Sequence, residues 1–344
     1  MDAFWNDWLV GHGLRRDESG EASLEEHMAQ LAALENGSTL APLYNFAVIR
    51  VEGEDAQTFL QGQLSNDIRD VSESRAQYST YSTAKGRMLA SFLIWAHGGA
   101  YYLMTAADIA ETVAKRLAMF VLRSKVKVML DDSWSLLGLS GNSARAALQK
   151  HFPAIDQIDS LQCAGQSQAV LIALPNGTYL LALGSGCSVG KELAQEEGLS
   201  PILPAAWALK DIQAGIAWVT RATQEQFVAQ MANMELIGAV NFKKGCYPGQ
   251  EIVARSQYLG KMKRRMFKVA FDSALAVGAK LYSPQLPDQS VGMMAAVCRL
   301  GEREFLGLAV AQSQTWDAGI FADESHTVAL RRLELPYAIE SVTE

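Results

Sequence analysis

The chain has 344 residues, with 30 Lys and Arg against 37 Asp and Glu, a net charge of −7. Hydrophobic residues make up 49% and charged residues 19%, which suits two or three globular domains and excludes a disordered chain. An acidic body repels phosphate, so neither general nucleic-acid binding nor membrane-surface binding is expected.

No apolar run approaches the roughly 18 residues that span a bilayer. Asp2 and Asp7 stand where a secretory signal would carry bases, which points to a cytoplasmic protein. Cys163, Cys187, Cys246 and Cys298 are scattered, with no CxxC pair, so neither a disulfide framework nor a local metal site is expected. The five histidines are equally dispersed.

Residues 1–40 carry eight acids and two bases. Ser23-Leu24-Glu25-Glu26 reads as a capping box that opens a peripheral helix with Leu24, Met28, Leu31 and Leu34 on one face. A strand follows at 46–51, and Phe59, Leu60, Leu64 and Ile68 predict a helix over 55–68. Strands at 78–82, 88–96 and 100–104 lead to a helix at 107–122 and a strand near 125–130. The pattern then recurs: a strand at 134–139, a helix at 142–152, strands at 168–174 and 178–183, and a helix at 188–197. Two related α+β units are therefore expected, 41–131 and 132–262, after the acidic segment 1–40. A short helix at 205–214 follows Pro201 and Pro204. Beyond 263, short apolar runs between Gly, Pro, Asp and Ser predict a C-terminal β-barrel or sandwich, 263–344.

One stretch stands apart: Lys243-Lys244-Gly245-Cys246-Tyr247-Pro248-Gly249-Gln250-Glu251. Gly245 and Gly249 allow tight turning and place Cys246 at a loop apex. Positive charge at Lys243 and Lys244 would favour the thiolate, although a small buried cysteine fits the same letters. Between 243 and 265 seven bases face one acid, a local +6, and between 115 and 127 five bases stand with no acid. Lys85 and Arg87 extend this basic character, read either as a surface for an anionic ligand or as ordinary solvated lysines. Gly186 to Lys191 imitates a phosphate loop, but only three residues separate its glycines.

On these residues the chain resembles the YgfZ-type folate-binding proteins, relatives of the aminomethyltransferase of the glycine cleavage system. Lys244 to Glu251 matches the signature K-G-C-[FY]-x-G-Q-E, and three stretches fit in order with it: Gly53 to Leu64, Ala84-Lys85-Gly86-Arg87, and Leu122 to Val128. The resemblance spans roughly residues 40 to 340. It implies an α+β fold, a three-domain aminomethyltransferase-like cloverleaf with two related α+β units and a C-terminal β-barrel. It also implies tetrahydrofolate at the central opening, with Phe46 and Trp207 stacking on the pterin and Lys85 and Arg87 alongside; both aromatics equally suit a core.

The same resemblance implies a factor for assembly or repair of iron–sulfur clusters in client enzymes, tRNA-modifying radical-SAM enzymes among them. Cys246 would be the reactive thiolate, Lys244 would lower its pKa, and Gln250 and Glu251 would position the loop. The partners implied are folate and iron–sulfur client or assembly proteins, and a monomer is expected. The paired acids that aminomethyltransferases carry after a Gly-Gly are replaced by Ala90 and Ser91, and their glutamate-bearing stretch is missing near 180–187. Glycine cleavage is therefore not expected, and whether the chain is an enzyme stays open. The alternatives are a folate-dependent aminomethyl or one-carbon transferase, and a non-enzymatic RNA- or protein-binding module.

Overall fold

The computed structural model describes residues 3–14, 22–258 and 262–339, with the side chains of 256–258 left aside. Helix α1 (Ala3–Gly11), which the sequence reading passes over, buries Trp5 and Leu9, one turn apart, against the second unit. The Trp8 indole N–H fixes it by donating to Ala194 O at 3.0 Å. Helix α2 (Leu24–Asn36) opens with the expected capping box, Ser23 and Glu26 each accepting the other's backbone N–H. Its buried face is His27, Gln30, Leu31 and Leu34, whereas Met28 points outward. Gln30 Oε1 accepts from Leu203 N at 2.7 Å, so α2 is packed on the body by a polar anchor as well as by its leucines.

The chain then runs through β1 (Thr39–Pro42), β2 (Phe46–Glu52), α3 (Ala56–Gln61), β3 (Gln77–Ser82), β4 (Met88–His97), β5 (Ala100–Ala106), α4 (Ala107–Ala118) and β6 (Lys127–Asp131). Helix α3 is shorter than its apolar spacing predicts, because it ends at Gly62; Leu64 and Ile68 are buried from the following turns instead. The first sheet has the order β3-β4-β5-β2-β6. Strand β4 is buried from Met88 to Trp95, the signature of a sheet covered on both faces.

The second unit contains β7 (Trp134–Ser140), α5 (Asn142–His151), β8 (Cys163–Gln166), β9 (Ala169–Ala173), β10 (Tyr179–Gly184), α6 (Val189–Leu193) and β11 (Ser200–Pro201). Its order, β11-β1-β7-β10-β9-β8, repeats the first topology. In each unit a strand and a helix precede a three-stranded meander, and the last meander strand pairs with the first strand, β5 with β2 and β10 with β7. The division is not linear. Strand β1 pairs with β7 in the second sheet, while the segment after α7 (Pro204–Gln213) returns to the first unit, where Met88 N donates to Phe227 O and Asn241 N to Ser65 O.

Helix α8 (Gln250–Tyr258) leads into the C-terminal strands β12 (Arg264–Phe271), β13 (Lys280–Leu281), β14 (Gly292–Arg299), β15 (Phe305–Gln312), β16 (Ile320–Phe321) and β17 (Ala329–Leu333). They form one sheet in the order β13-β14-β15-β12-β17-β16, and a Tyr282–Phe321 bridge joins its two ends into a nearly closed barrel. One apolar core joins all three parts: Ile49, Ile172, Trp207 and Leu308 belong to the same cluster. The fold is thus the expected α+β arrangement of two related units and a barrel. Among the described residues no helix is long and apolar enough to cross a membrane.

Candidate functional site

The signature loop is built between α3 and the turn that joins β3 to β4. Gly249 has φ +81°, and a Cβ there would lie 2.6 Å from Gly86 Cα and 2.6 Å from Thr83 O. The signature thus meets Ala84-Lys85-Gly86-Arg87 backbone to backbone, which only a residue without Cβ permits. Gly245 is different: its φ is not positive and a Cβ would meet nothing within 4 Å. The tight turn expected at both glycines is needed at one. Cys246 is exposed at the apex, while Tyr247, buried next to it, has its phenol pushed up to about 12 by burial.

Lys244 corrects the sequence reading. Its side chain turns inward, and Nζ donates to Gln61 O at 2.7 Å and to Leu64 O at 2.5 Å, with the Tyr247 ring 4.9 Å away. Those carbonyls close the C-terminal end of α3, where a cation is favourable. Burial lowers the ammonium to about 8, which leaves it protonated at neutral pH. Lys244 is therefore a post that pins the loop to the end of α3. Gln250 is half-buried at the start of α8, and Glu251, exposed in the first helical turn, suits the helix dipole.

A second cluster forms where the two units meet. Trp207 is 2% exposed, and its ring lies over Gly138 so closely that a Cβ there would come within 2.7 Å. The stacking face expected of Trp207 is thus covered by the core. Trp218 is half-buried, and its ring meets Phe46 edge-on at 4.9 Å and Tyr78 at 6.1 Å. Its indole N–H donates to Asp211 Oδ2 at 3.1 Å. Burial pushes the Asp211 carboxyl up to about 7, against the lowering effect of that bond. The Tyr78 phenol is raised by its own burial and by the Asp211 charge. Phe46 also lines a cleft of about 900 Å³, with Val48 and Leu130 from the first sheet and Trp134, Leu136 and Leu183 from the second.

The basic face is smaller than its letters suggest. Arg265 is drawn inward by Glu235 and Gln230 O, Arg87 donates to Gln226 O at 2.6 Å, and Lys115 and Lys125 pair with Glu111 and Glu54. Lys85, Lys243, Arg255 and Lys263 are exposed, and Lys261 lies outside the described residues. Among the described residues no three His, Cys, Asp or Glu stand together to hold a metal ion.

The model of the GCVT N-terminal domain family matches residues 12–166. The tRNA-modifying protein YgfZ of Cronobacter sakazakii is 27% identical over 310 residues, covering 88% of this chain and 94% of the relative. That of Photorhabdus laumondii is 28% identical over 309 residues, with 88% and 93% covered. In sequence the chain is YgfZ-type, and its N-terminal part is GcvT-like. The crystal structure of glycine cleavage system aminomethyltransferase T from Bartonella henselae has the same fold, with a TM-score of 0.77 at 15% identity over 96% of this chain and 95% of that one.

In this YgfZ-type protein the two sheet positions without acids are closed to solvent. Ala90 is fully buried, and Ser91 Oγ accepts from Val219 N at 2.9 Å. The sequence reading missed Asp211, Trp218 and Tyr78. A signal existed for the first: Asp211 follows Trp207 by one turn of α7, on the same face. For Tyr78 and Trp218 no local signal separates them from core aromatics.

Proposed function

We propose that this YgfZ-type protein is a tetrahydrofolate-binding factor serving the assembly or repair of iron–sulfur clusters in client enzymes, tRNA-modifying ones among them. The observation that carries the reading is the presentation of Cys246: an exposed thiol on a loop pinned on one side by Lys244 and on the other by the Gly249–Gly86 contact. A thiol held out on a fixed mount suits contact with a cluster or a client protein, whereas structural cysteines such as Cys163 and Cys298 are buried and their thiols pushed up to about 12. The names of the relatives, tRNA-modifying proteins, agree with such clients.

The residues fit a folate. Half-buried Trp218, with Phe46 and Tyr78 packed against it, offers aromatic surface to a flat pterin, Asp211 offers a carboxyl, and exposed Lys85 offers charge to an anionic tail. Bound there, tetrahydrofolate brings a one-carbon carrier to the protein. Gln250 and Glu251 would hold the loop through the first turn of α8.

The reading is tested by restoring a strain that lacks this protein with either the parent or Cys246→Ala and assaying a client radical-SAM tRNA modification. The variant is expected to restore several-fold less modification. Equal restoration would reject the role of the thiol.

A further inference from the structure

Register lays out the inner face of the first sheet. Tyr78 lies across from Leu93, Leu93 from Met104, and Met104 from Val48. Side chains two residues apart along a strand share a face, so Phe46 and Ser91 join this one. Trp218 covers it, edge-on to Phe46 and Tyr78, and the following residue, Val219, occupies the Ser91 hydroxyl with its N–H. The sheet position at which aminomethyltransferases hold a carboxylate is therefore closed by backbone. A carboxyl reaches the same cluster from the opposite element, α7: that of Asp211.

Trp218 is the one donor to the Asp211 carboxyl among the described residues, and it engages only Oδ2. Both residues are half-buried, which leaves the cluster open on one side. Asp211 is itself only half-buried, and among the described residues no donor engages its Oδ1. A carboxylate with one oxygen steadied and the other not engaged by a donor suits a ligand edge that presents two adjacent N–H donors. The 2-amino and ring N3–H groups of a pterin form such an edge, and its flat ring matches the indole beside it.

We infer that Asp211, delivered by α7, is the residue that reads the amino-pyrimidinone edge of the folate, replacing the carboxylates lost at Ala90 and Ser91. The inference rests on the tetrahydrofolate reading above and specifies its site. It makes binding depend on pH, because the ionised carboxylate is the acceptor. The titratable group facing Asp211 from β3 is the Tyr78 phenol, which its own burial keeps neutral. On α7 itself, Lys210 lies toward Glu35 of α2. Trp218 brings a donor and no charge. With Asp211 held at about 7, affinity falls as the pH drops from 8 to 6, approaching about tenfold per unit on the acid side.

The experiment is isothermal titration of the full chain with 5-formyltetrahydrofolate between pH 6 and 8.5, in buffers of different ionisation enthalpy. The parent is expected to bind more tightly as pH rises and to release a proton near neutrality. Asp211→Asn keeps the size and an acceptor for Trp218, and is expected to bind at least tenfold more weakly at pH 8 with a flat profile. Trp218→Phe keeps an aromatic face but removes the donor that lowers the Asp211 pKa, and is expected to move the midpoint upward. Circular dichroism shows whether each variant is folded. If the parent binds and Asp211→Asn binds equally with the same profile, the role of Asp211 is overturned and the folate reading survives. If the folded parent binds no folate at any pH, both fall.

Discussion

Gly249→Ala is the most exacting test of how the signature loop is mounted. The substitution forces an L-residue into the left-handed region, at φ +81°, which costs roughly 1–2 kcal/mol. The new Cβ would also stand 2.6 Å from Gly86 Cα, 2.6 Å from Thr83 O and 2.8 Å from Gly86 N. All three are backbone atoms, so relief requires the β3–β4 turn itself to move, an overpacking cost of roughly 1–3 kcal/mol. The expected loss is therefore about 2–5 kcal/mol, a large share of ordinary domain stability. The control lies four residues away: Gly245→Ala meets open space at an unstrained φ and should stay within about 0.5 kcal/mol of the parent. Urea unfolding followed by tryptophan fluorescence measures both. The rate at which Cys246 reacts with a thiol reagent reports whether the loop keeps its form. A Gly249→Ala protein as stable as the parent, or a Gly245→Ala protein equally damaged, would show that the two glycines are not distinguished as described.

Lys244→Met keeps the length of the side chain but leaves Gln61 O and Leu64 O without their donor, and should cost about 2–4 kcal/mol in the same unfolding assay. Asp211 sets a pH dependence of stability whose sign is fixed: its folded pKa, about 7, is above the ordinary 3.8, so the native state holds the proton more tightly. Its contribution is fully present below pH 4 and is lost as pH rises toward 7. Asp211→Asn lacks that loss, so its stability relative to the parent should improve between pH 4 and 8 by roughly 1–3 kcal/mol, partial exposure screening the full value; parallel unfolding curves at pH 5 and 8 would contradict this.

The periodic parts of the fold were legible because their chemistry is local. The run Met88 to Trp95 reads as a strand, and Ile109, Val113 and Leu117 share the buried face of α4. The signature was legible as a unit for a similar reason: glycines, a proline and a cysteine constrain a loop wherever it lies. What the letters did not reveal was direction. Two adjacent lysines read alike, yet Lys243 faces solvent and Lys244 is consumed by helix carbonyls. Trp207 reads as a candidate stacking surface, and only the close approach of its ring to Gly138 explains why it is swallowed by the core. Asp211 was easy to pass over, although it follows Trp207 by one turn of α7, because a single acid in an amphipathic helix ordinarily faces water. Its meaning comes from Tyr78, more than a hundred residues away, and from Trp218, which a loop brings back.

The exchange of segments between the two sheets constrains the order in which this chain folds. Strand β1 leaves the ribosome early but waits for β7, and the first sheet waits for Phe227 and Asn241, whose backbone partners sit at Met88 and Ser65. Neither half can complete its pairing until about two thirds of the polypeptide has been made. Such non-local closure slows folding and leaves strand edges uncovered in the nascent chain. The two units are thus duplicates in topology but not independent modules, and cutting the chain between β6 and β7 would strip both halves of backbone partners. Chaperone demand during synthesis, rather than the stability of the finished protein, is where that interleaving exacts its cost.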